Sequence, residues 1–170
     1  MGSKKSSYLA SAKGASRFGS DWVEYNGGIQ KPKRIHLNTG QRYYRFASSR
    51  TSRERSQLSG AWWIDHENFM TVTRFINGNY FSVREGLRYF LALPKDWTEV
   101  DVLVSAILEA PMDCYAGEGR RATGSHPADR GSSYIPPQHI RICQLYIPML
   151  ETYRKEAFPN PIAKSVWKAV

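Results

Sequence analysis

Residues 43–49 read YYRFASS and place one arginine, Arg45, between aromatic residues and three small ones. Aromatic residues favour β-strands, so we expect a strand over residues 41–48. An arginine on such a strand either lies in solvent at a sheet edge or binds an anion inside a cleft. The stretch leaves both interpretations open, and the rest of the chain must decide between them.

The composition is typical of a globular protein with one hydrophobic core. The chain has 170 residues, of which 41% are hydrophobic and 23% are charged. No apolar run approaches the ~18 residues that span a membrane, and the N-terminal stretch lacks the apolar core of a classical signal peptide. We therefore expect a cytoplasmic protein, or one delivered into a target cell, without a transmembrane segment. Cys114 and Cys143 are expected to be free thiols, and no Cys/His cluster has metal-ligand spacing.

Positive charge is concentrated in the first third of the chain. The net charge is +9, and residues 1–55 contain twelve basic residues and three acidic ones, whereas the remainder is balanced. Such asymmetry favours an anionic partner such as nucleic acid, acidic lipid or a phosphorylated ligand, although a basic arm without a specific partner is equally consistent. We predict a flexible basic arm over residues 1–30 and a single domain over residues 31–170.

The periodicity predicts a mixture of strands and short helices without a repeated βαβ pattern, which indicates an α+β fold. The predicted helices are capped by Asp65 and by the pair Ser82 and Glu85, which has capping-box spacing. Strands are predicted over residues 41–48, 61–64, 100–110, 112–119 and 140–148, and helices over 65–76, 82–93 and 151–158. Residues 119–138 are predicted to form a long loop.

A glutamine inside an apolar strand and a pair of adjacent tryptophans are two further candidates for functional residues. Gln144 interrupts an apolar strand, where alternation puts it on one face with Ile142 and Tyr146. A buried amide needs partners, so Gln144 either faces a cleft or bridges backbone groups. Trp62 and Trp63 are adjacent, so their rings point to opposite faces of a strand. Either one of them stacks on a ligand or both belong to the core.

In this order, the motifs resemble those of the ADP-ribosyltransferase superfamily, which includes bacterial ADP-ribosylating toxins. The resemblance covers about residues 41–150: YYRF is similar to the first-strand arginine motif, GAWWIDHENFMTVTRF to the aromatic strand that enters a helix, and QLYIP to the last catalytic strand. It implies a mixed, mostly antiparallel split β-sheet core with a few short helices around an NAD cleft. It also implies that NAD is a substrate and that no metal is required.

The resemblance further assigns site residues. Gln144 and Arg45 are the implied catalytic residues, with Arg45 on the NAD pyrophosphate and Gln144 on the nicotinamide ribose. Trp63 is expected to stack on the nicotinamide. The implied NAD-binding residues are Arg45, Tyr44, Ser59, Gly60, Trp63, Phe75 and Tyr146.

Glutamine at position 144 stands where most of the superfamily has a catalytic glutamate. The sequence is also similar to the tuberculosis-necrotizing-toxin-like NAD glycohydrolases, which use glutamine on this strand. The implied activities are transfer of ADP-ribose to an acceptor macromolecule (RNA, DNA or protein) or hydrolysis of NAD. The same residues are consistent with a glutamine that replaces a natural glutamate, and with an inactive nucleic-acid-binding module. A toxin-like enzyme further implies a neutralising antitoxin or immunity protein.

Overall fold

The computed structural model describes residues 3–18, 22–50, 58, 60–79, 82–125 and 132–166. Its helices are α1 (Ser3–Ala12), α2 (His66–Gly78), α3 (Val83–Leu91) and α4 (Leu150–Ala157). Its longer strands are β1 (Ala15–Phe18), β2 (Trp22–Tyr25), β3 (Lys33–Leu37), β4 (Arg42–Ala47), β5 (Trp62–Asp65), β6 (Val102–Ile107), β7 (Met112–Glu118), β10 (Cys143–Tyr146) and β11 (Ile162–Ser165). Two short strands, β8 (Ala122–Thr123) and β9 (Ser133–Tyr134), lie in the predicted loop over 119–138, of which residues 126–131 are outside the described part.

The central element is a seven-stranded sheet with the order β11-β6-β4-β5-β10-β7-β3. Its described pairings are antiparallel, and the hairpins β1-β2 and β8-β9 pair separately. These pairings confirm the predicted α+β class and the mostly antiparallel sheet. Strands β4, β5 and β10, which carry the residues singled out above, are neighbours at its centre.

Strand alternation buries apolar side chains on both faces of the sheet. Tyr43, Trp63 and Leu145 belong to a core cluster on one face, whereas Tyr44 and Ile142 belong to a second cluster on the other. Helices α2 and α3 contribute Phe69, Val72, Leu87 and Phe90 to the second cluster. Both faces are therefore covered, and a polar side chain on a central strand needs an opening in the sheet.

The helix starts follow the predicted capping chemistry. The Asp65 side chain accepts a 2.8 Å hydrogen bond from the Asn68 backbone N–H at the start of α2. At the start of α3, Ser82 and Glu85 form the predicted capping box. No helix among the described residues is long and apolar enough to cross a membrane.

The N-terminal segment differs from the predicted flexible arm. Residues 3–18 and 22–25 form α1 and the β1-β2 hairpin, and Ala12 and Ile29 are fully buried. Ile29 N–H donates to the Ala12 carbonyl at 2.8 Å, and Ile29 also bridges to Gly119 beside the end of β7. Within the described residues, backbone hydrogen bonds join this segment to the rest of the domain, and the boundary at residue 30 stays a prediction.

Candidate functional site

A split in the central sheet holds Arg45. Strand β4 pairs with β6 along its whole length, but it pairs with β5 only at Tyr43–Asp65 and Tyr44–Ile64. Beyond Tyr44 the two strands diverge, and the Arg45 guanidinium lies in the gap, where Nη1 donates to the Trp62 carbonyl at 3.4 Å. Since β5 continues its pairing with β10 at Trp62 and Trp63, the split opens on one side only. Arg45 therefore lies inside the sheet and is not a solvated edge residue.

Glycine at position 60 makes room for this arginine. A Cβ added to Gly60 would lie 1.9 Å from Arg45 Cζ and 2.0 Å from each terminal guanidinium nitrogen. Burial lowers the pKa of Arg45 to about 10 from its ordinary value. The guanidinium remains a cation near neutral pH, and its desolvation strengthens its attraction for an anion in the same cavity.

The split opens into a cavity of about 380 Å³, within the usual range for small-molecule sites. Its polar lining includes Arg45, Arg120 and Gln144, and its aromatic lining includes Trp62 and Trp97. The described lining residues include two arginines and no acidic side chain. A cavity with this lining suits a ligand that combines phosphate groups with flat rings.

Gln144 faces this cavity and also bridges a backbone group. Its Nε2 donates to the Leu91 carbonyl at 3.2 Å, so β10 is joined to the last residue of α3. A Cβ added to Gly119 would lie 2.5 Å from the same nitrogen. Gln144 therefore both faces a cleft and bridges a backbone group, the two alternatives that the sequence left open. The side chain is half-buried, lines the cavity and has a backbone partner.

The structure places Trp62, and not Trp63, in the cavity wall. Trp63 is only 2% exposed, packs against Phe158 at a centroid distance of 4.7 Å, and donates from Nε1 to the Gly60 carbonyl at 2.7 Å. Trp62 packs edge-on against Tyr146 at 5.1 Å on the opposite face of β5. The register of β5 on β10 turns the Trp63 ring into the core, where it borders only the small void at the split. This geometry favours Trp62 over the expected Trp63 for stacking on a ligand in the larger cavity.

The other predicted binding residues have mixed positions. Tyr44 is 7% exposed and stacks on Phe69 at 3.9 Å, and its ring borders a small void of about 40 Å³ at the split. Phe75 packs on Phe90 at 4.7 Å and does not line the described cavity. Tyr146 packs on Trp62 and is not among the residues that line the cavity. Ser59 lies outside the described residues.

The α3–β6 connection supplies a wall that sequence reasoning missed. Arg88 is 6% exposed and donates to the carbonyls of Leu93 at 3.0 Å and Thr98 at 2.8 Å, which fixes this loop. The loop places Leu93, Trp97 and Thr98 in the cavity lining. The two arginines therefore differ in role. Arg88 donates to backbone carbonyls of the loop, whereas Arg45 lines the cavity.

The N-terminal segment supplies the other wall. Ser11, Gly14 and Gly28 line the cavity together with Arg120, whose backbone N–H donates to the Gly28 carbonyl at 2.7 Å. Arg120 Cζ also lies 5.2 Å from the centre of the Tyr25 ring. The sequence feature that could have indicated this wall is the glycine pair before Ile29. Gly27 and Gly28 have φ values of 66° and 76°, which permit a tight turn against the domain.

The two thiols are not arranged for chemistry. Cys114 is fully buried, and burial raises its pKa to about 12. Burial likewise raises the pKa of Cys143, which precedes Gln144 on β10. A thiol with a raised pKa is a poor nucleophile near neutral pH. Among the described residues, no group of three or more His, Cys, Asp or Glu side chains is placed to hold a metal ion.

Comparisons with known proteins give one distant structural likeness. No family model matches the sequence, and no curated protein matches it. Among solved structures, the chain is similar to Rhs1-CT in complex with its cognate immunity protein RhsI1, at a TM-score of 0.43 and 14% identity, over 78% of this chain and 81% of that chain. A likeness at that level carries no argument about activity, so the functional proposal rests on the residues of the cavity.

Proposed function

We propose that the chain binds NAD in the cavity between β4 and β5 and cleaves its nicotinamide–ribose bond, with water as the acceptor. The observation that carries the proposal is the convergence of Arg45, Trp62 and Gln144, from three neighbouring strands, on a cavity that also contains Arg120. These residue types match the three parts of the ligand, namely phosphate, ring and ribose.

Each side chain has a role that follows from its chemistry. Arg45 donates two parallel hydrogen bonds to pyrophosphate oxygens, which its planar guanidinium suits better than a lysine would. Trp62 offers a ring surface to the nicotinamide. Gln144 accepts a hydrogen bond from a hydroxyl of the attached ribose. Positioning and electrostatic stabilisation by these groups carry the catalysis.

The reaction needs no metal and no oxidant. The bond between ribose C1′ and the nicotinamide nitrogen breaks, and its electron pair leaves with the nicotinamide. Water oxygen forms the new bond to C1′, and the water proton passes to solvent. The products are nicotinamide and ADP-ribose.

The residue at position 144 favours hydrolysis over transfer. The described lining contains no carboxylate to deprotonate an acceptor hydroxyl, whereas water needs only to be held against C1′.

Transfer of ADP-ribose to an acidic macromolecule, RNA or DNA is the second candidate. Strand β3 lies at the sheet edge, where Lys33 is exposed, as is Lys31 before it, whereas Arg34 of the same strand pairs with Asp113. This positive edge suits an anionic acceptor. With either acceptor, a cell that makes the enzyme needs to control it, which is why we include a neutralising protein in the proposal.

Measurement of nicotinamide release from NAD tests the proposal. The parent should release nicotinamide and ADP-ribose in buffer alone, and the variants Arg45→Ala and Gln144→Ala should lose this activity while they stay folded. Release only when RNA, DNA or protein is added indicates transfer. If no nicotinamide appears under any of these conditions, NAD cleavage is excluded.

A further inference from the structure

One orientation of the Gln144 amide satisfies the Leu91 carbonyl. Its Nε2 lies 3.2 Å from the Leu91 carbonyl oxygen, and a flipped amide would bring two acceptors together. Leu91 is the last residue of α3, so its carbonyl is among those without a helical donor. The nearby backbone donors, at Ala92 and Leu93, both donate to the Arg88 carbonyl. Among the described residues, Gln144 is therefore the donor that satisfies Leu91.

Gly119 lies close to the same amide nitrogen. A Cβ at that position would lie 2.5 Å from Nε2 and 3.3 Å from the Gln144 Cδ, so the backbone approaches the amide as closely as a glycine allows. Gly119 is itself held, because it bridges to Ile29 of the N-terminal segment. The amide nitrogen is thus held by a helix terminus and confined by the backbone at a strand end.

The amide oxygen remains as an acceptor for a ligand. No described group donates to Oε1, and one of the two Nε2 protons is donated to the Leu91 carbonyl. A neutral acceptor fixed in this way holds a hydroxyl group or a water molecule without rotating, and its partial negative charge lies beside the cavity that contains Arg45.

We propose that position 144 is built for an amide, and that Gln144 acts as an oriented neutral acceptor whose direction is set by the Leu91 carbonyl. The proposal rests on the proposed NAD cleavage. It assigns glutamine as the functional residue, and it rejects the interpretation that this glutamine stands in for a catalytic glutamate. The Leu91 carbonyl and Gly119 are positioning groups, which act through Gln144.

A glutamate cannot take the same place. Its carboxylate has no donor for the Leu91 carbonyl, so two acceptor oxygens would repel each other at this distance. The other charged groups that line the cavity are Arg45 and Arg120, and both attract a carboxylate. A glutamate would therefore turn from Leu91 toward the arginines and compete with the phosphates of the ligand.

Hydrogen exchange of side-chain amides tests the tether without any reference to activity. In the parent, the Gln144 amide protons, identified by their absence in the Gln144→Glu spectrum, should exchange at least about tenfold more slowly than those of the exposed Gln138. Gly119→Ala should accelerate this exchange, because the added methyl group displaces the amide. Equal exchange of the two glutamines in the parent would overturn the tether.

Nicotinamide release tests the functional part. Gln144→Glu should reduce NAD turnover by about tenfold or more and raise the KM for NAD, whereas Gln138→Glu, which makes the same charge change on the surface, should change neither. Higher turnover in Gln144→Glu than in the parent would show that the position serves a carboxylate and would overturn the proposal. Slow exchange in a parent that releases no nicotinamide would leave the tether standing and reject NAD cleavage.

Discussion

Substitution of Gly60 by alanine tests whether the position of Arg45 matters for function. The added Cβ would lie 1.9 Å from Arg45 Cζ, whereas ordinary carbon contacts lie at about 3.5 Å, so the guanidinium must move by roughly 1.5 Å. The Gly60 backbone lies outside the left-handed region, so alanine itself adds no conformational strain. The change therefore acts on the place of the arginine and leaves its charge intact.

The expected loss of catalytic rate is large for the addition of one methyl group. A displacement of about 1 Å in a positioning group costs on the order of 100-fold in rate, which corresponds to about 2.7 kcal/mol of transition-state stabilisation. Stability should change little, because alanine restricts the unfolded chain by roughly 0.4–1 kcal/mol and the displaced guanidinium regains solvent. We expect kcat/KM for NAD to fall about 100-fold with a nearly unchanged Tm.

Gly78→Ala is the matched control. Gly78 is the last residue of α2, and an added Cβ there would contact nothing within 4 Å. This variant should keep the parent activity and gain slightly in stability, because alanine favours a helix over glycine. Equal rates of NAD cleavage by Gly60→Ala and Gly78→Ala would show that the guanidinium does not need its place in the split.

Three further predictions concern neighbouring residues. Trp62→Ala should reduce NAD cleavage with little loss of stability, whereas Trp63→Ala should cost about 3–5 kcal/mol of unfolding free energy in a denaturant titration; the reverse pattern would reject the assigned faces. Arg120→Ala should weaken the binding of ADP-ribose and reduce its salt dependence, as measured by calorimetry, and an unchanged affinity would remove Arg120 from the site. Cys114 should resist alkylation near pH 8 in the folded Cys143→Ser variant, because its pKa is raised to about 12; rapid labelling would contradict its burial.

The strands at the centre of the sheet were predicted well from the sequence, because both faces are buried and their residues are therefore mostly apolar or aromatic. The alternation around Gln144 correctly separated Ile142 from Leu145, which belong to opposite core clusters. It could not decide between Trp62 and Trp63, since two adjacent strand residues always point to opposite sides. That choice depends on the register between β5 and β10, which is a property of two distant segments.

The N-terminal segment was not predicted for a different reason. Its composition is polar and rich in small residues, and composition is a poor guide where backbone hydrogen bonds and glycine contacts provide the attachment. The Asn26 side chain exchanges two hydrogen bonds with the Thr123 backbone, at 2.9 Å and 2.7 Å, and Gly27 N–H donates to the Arg121 carbonyl. Such partners are distant along the chain and leave no periodic trace in the sequence.

The gap between β4 and β5 also predicts how a ligand affects stability. Burial lowers the pKa of Arg45 to about 10, so the folded chain holds a cation at a desolvation cost that is constant below that pH and decreases above it. A phosphate ligand offsets this cost, and a ligand at 100 times its Kd should stabilise the protein by about 2.7 kcal/mol.

The substitution Arg45→Met removes both the desolvation cost and the attraction for phosphate. We expect this variant to have a higher Tm than the parent without ligand and no increase in Tm with ADP-ribose, in a thermal melt at neutral pH. An equal ligand-induced shift in both proteins would show that the arginine in the split does not bind the phosphates, whereas a shift confined to the parent would identify the opening in the sheet as the anion site.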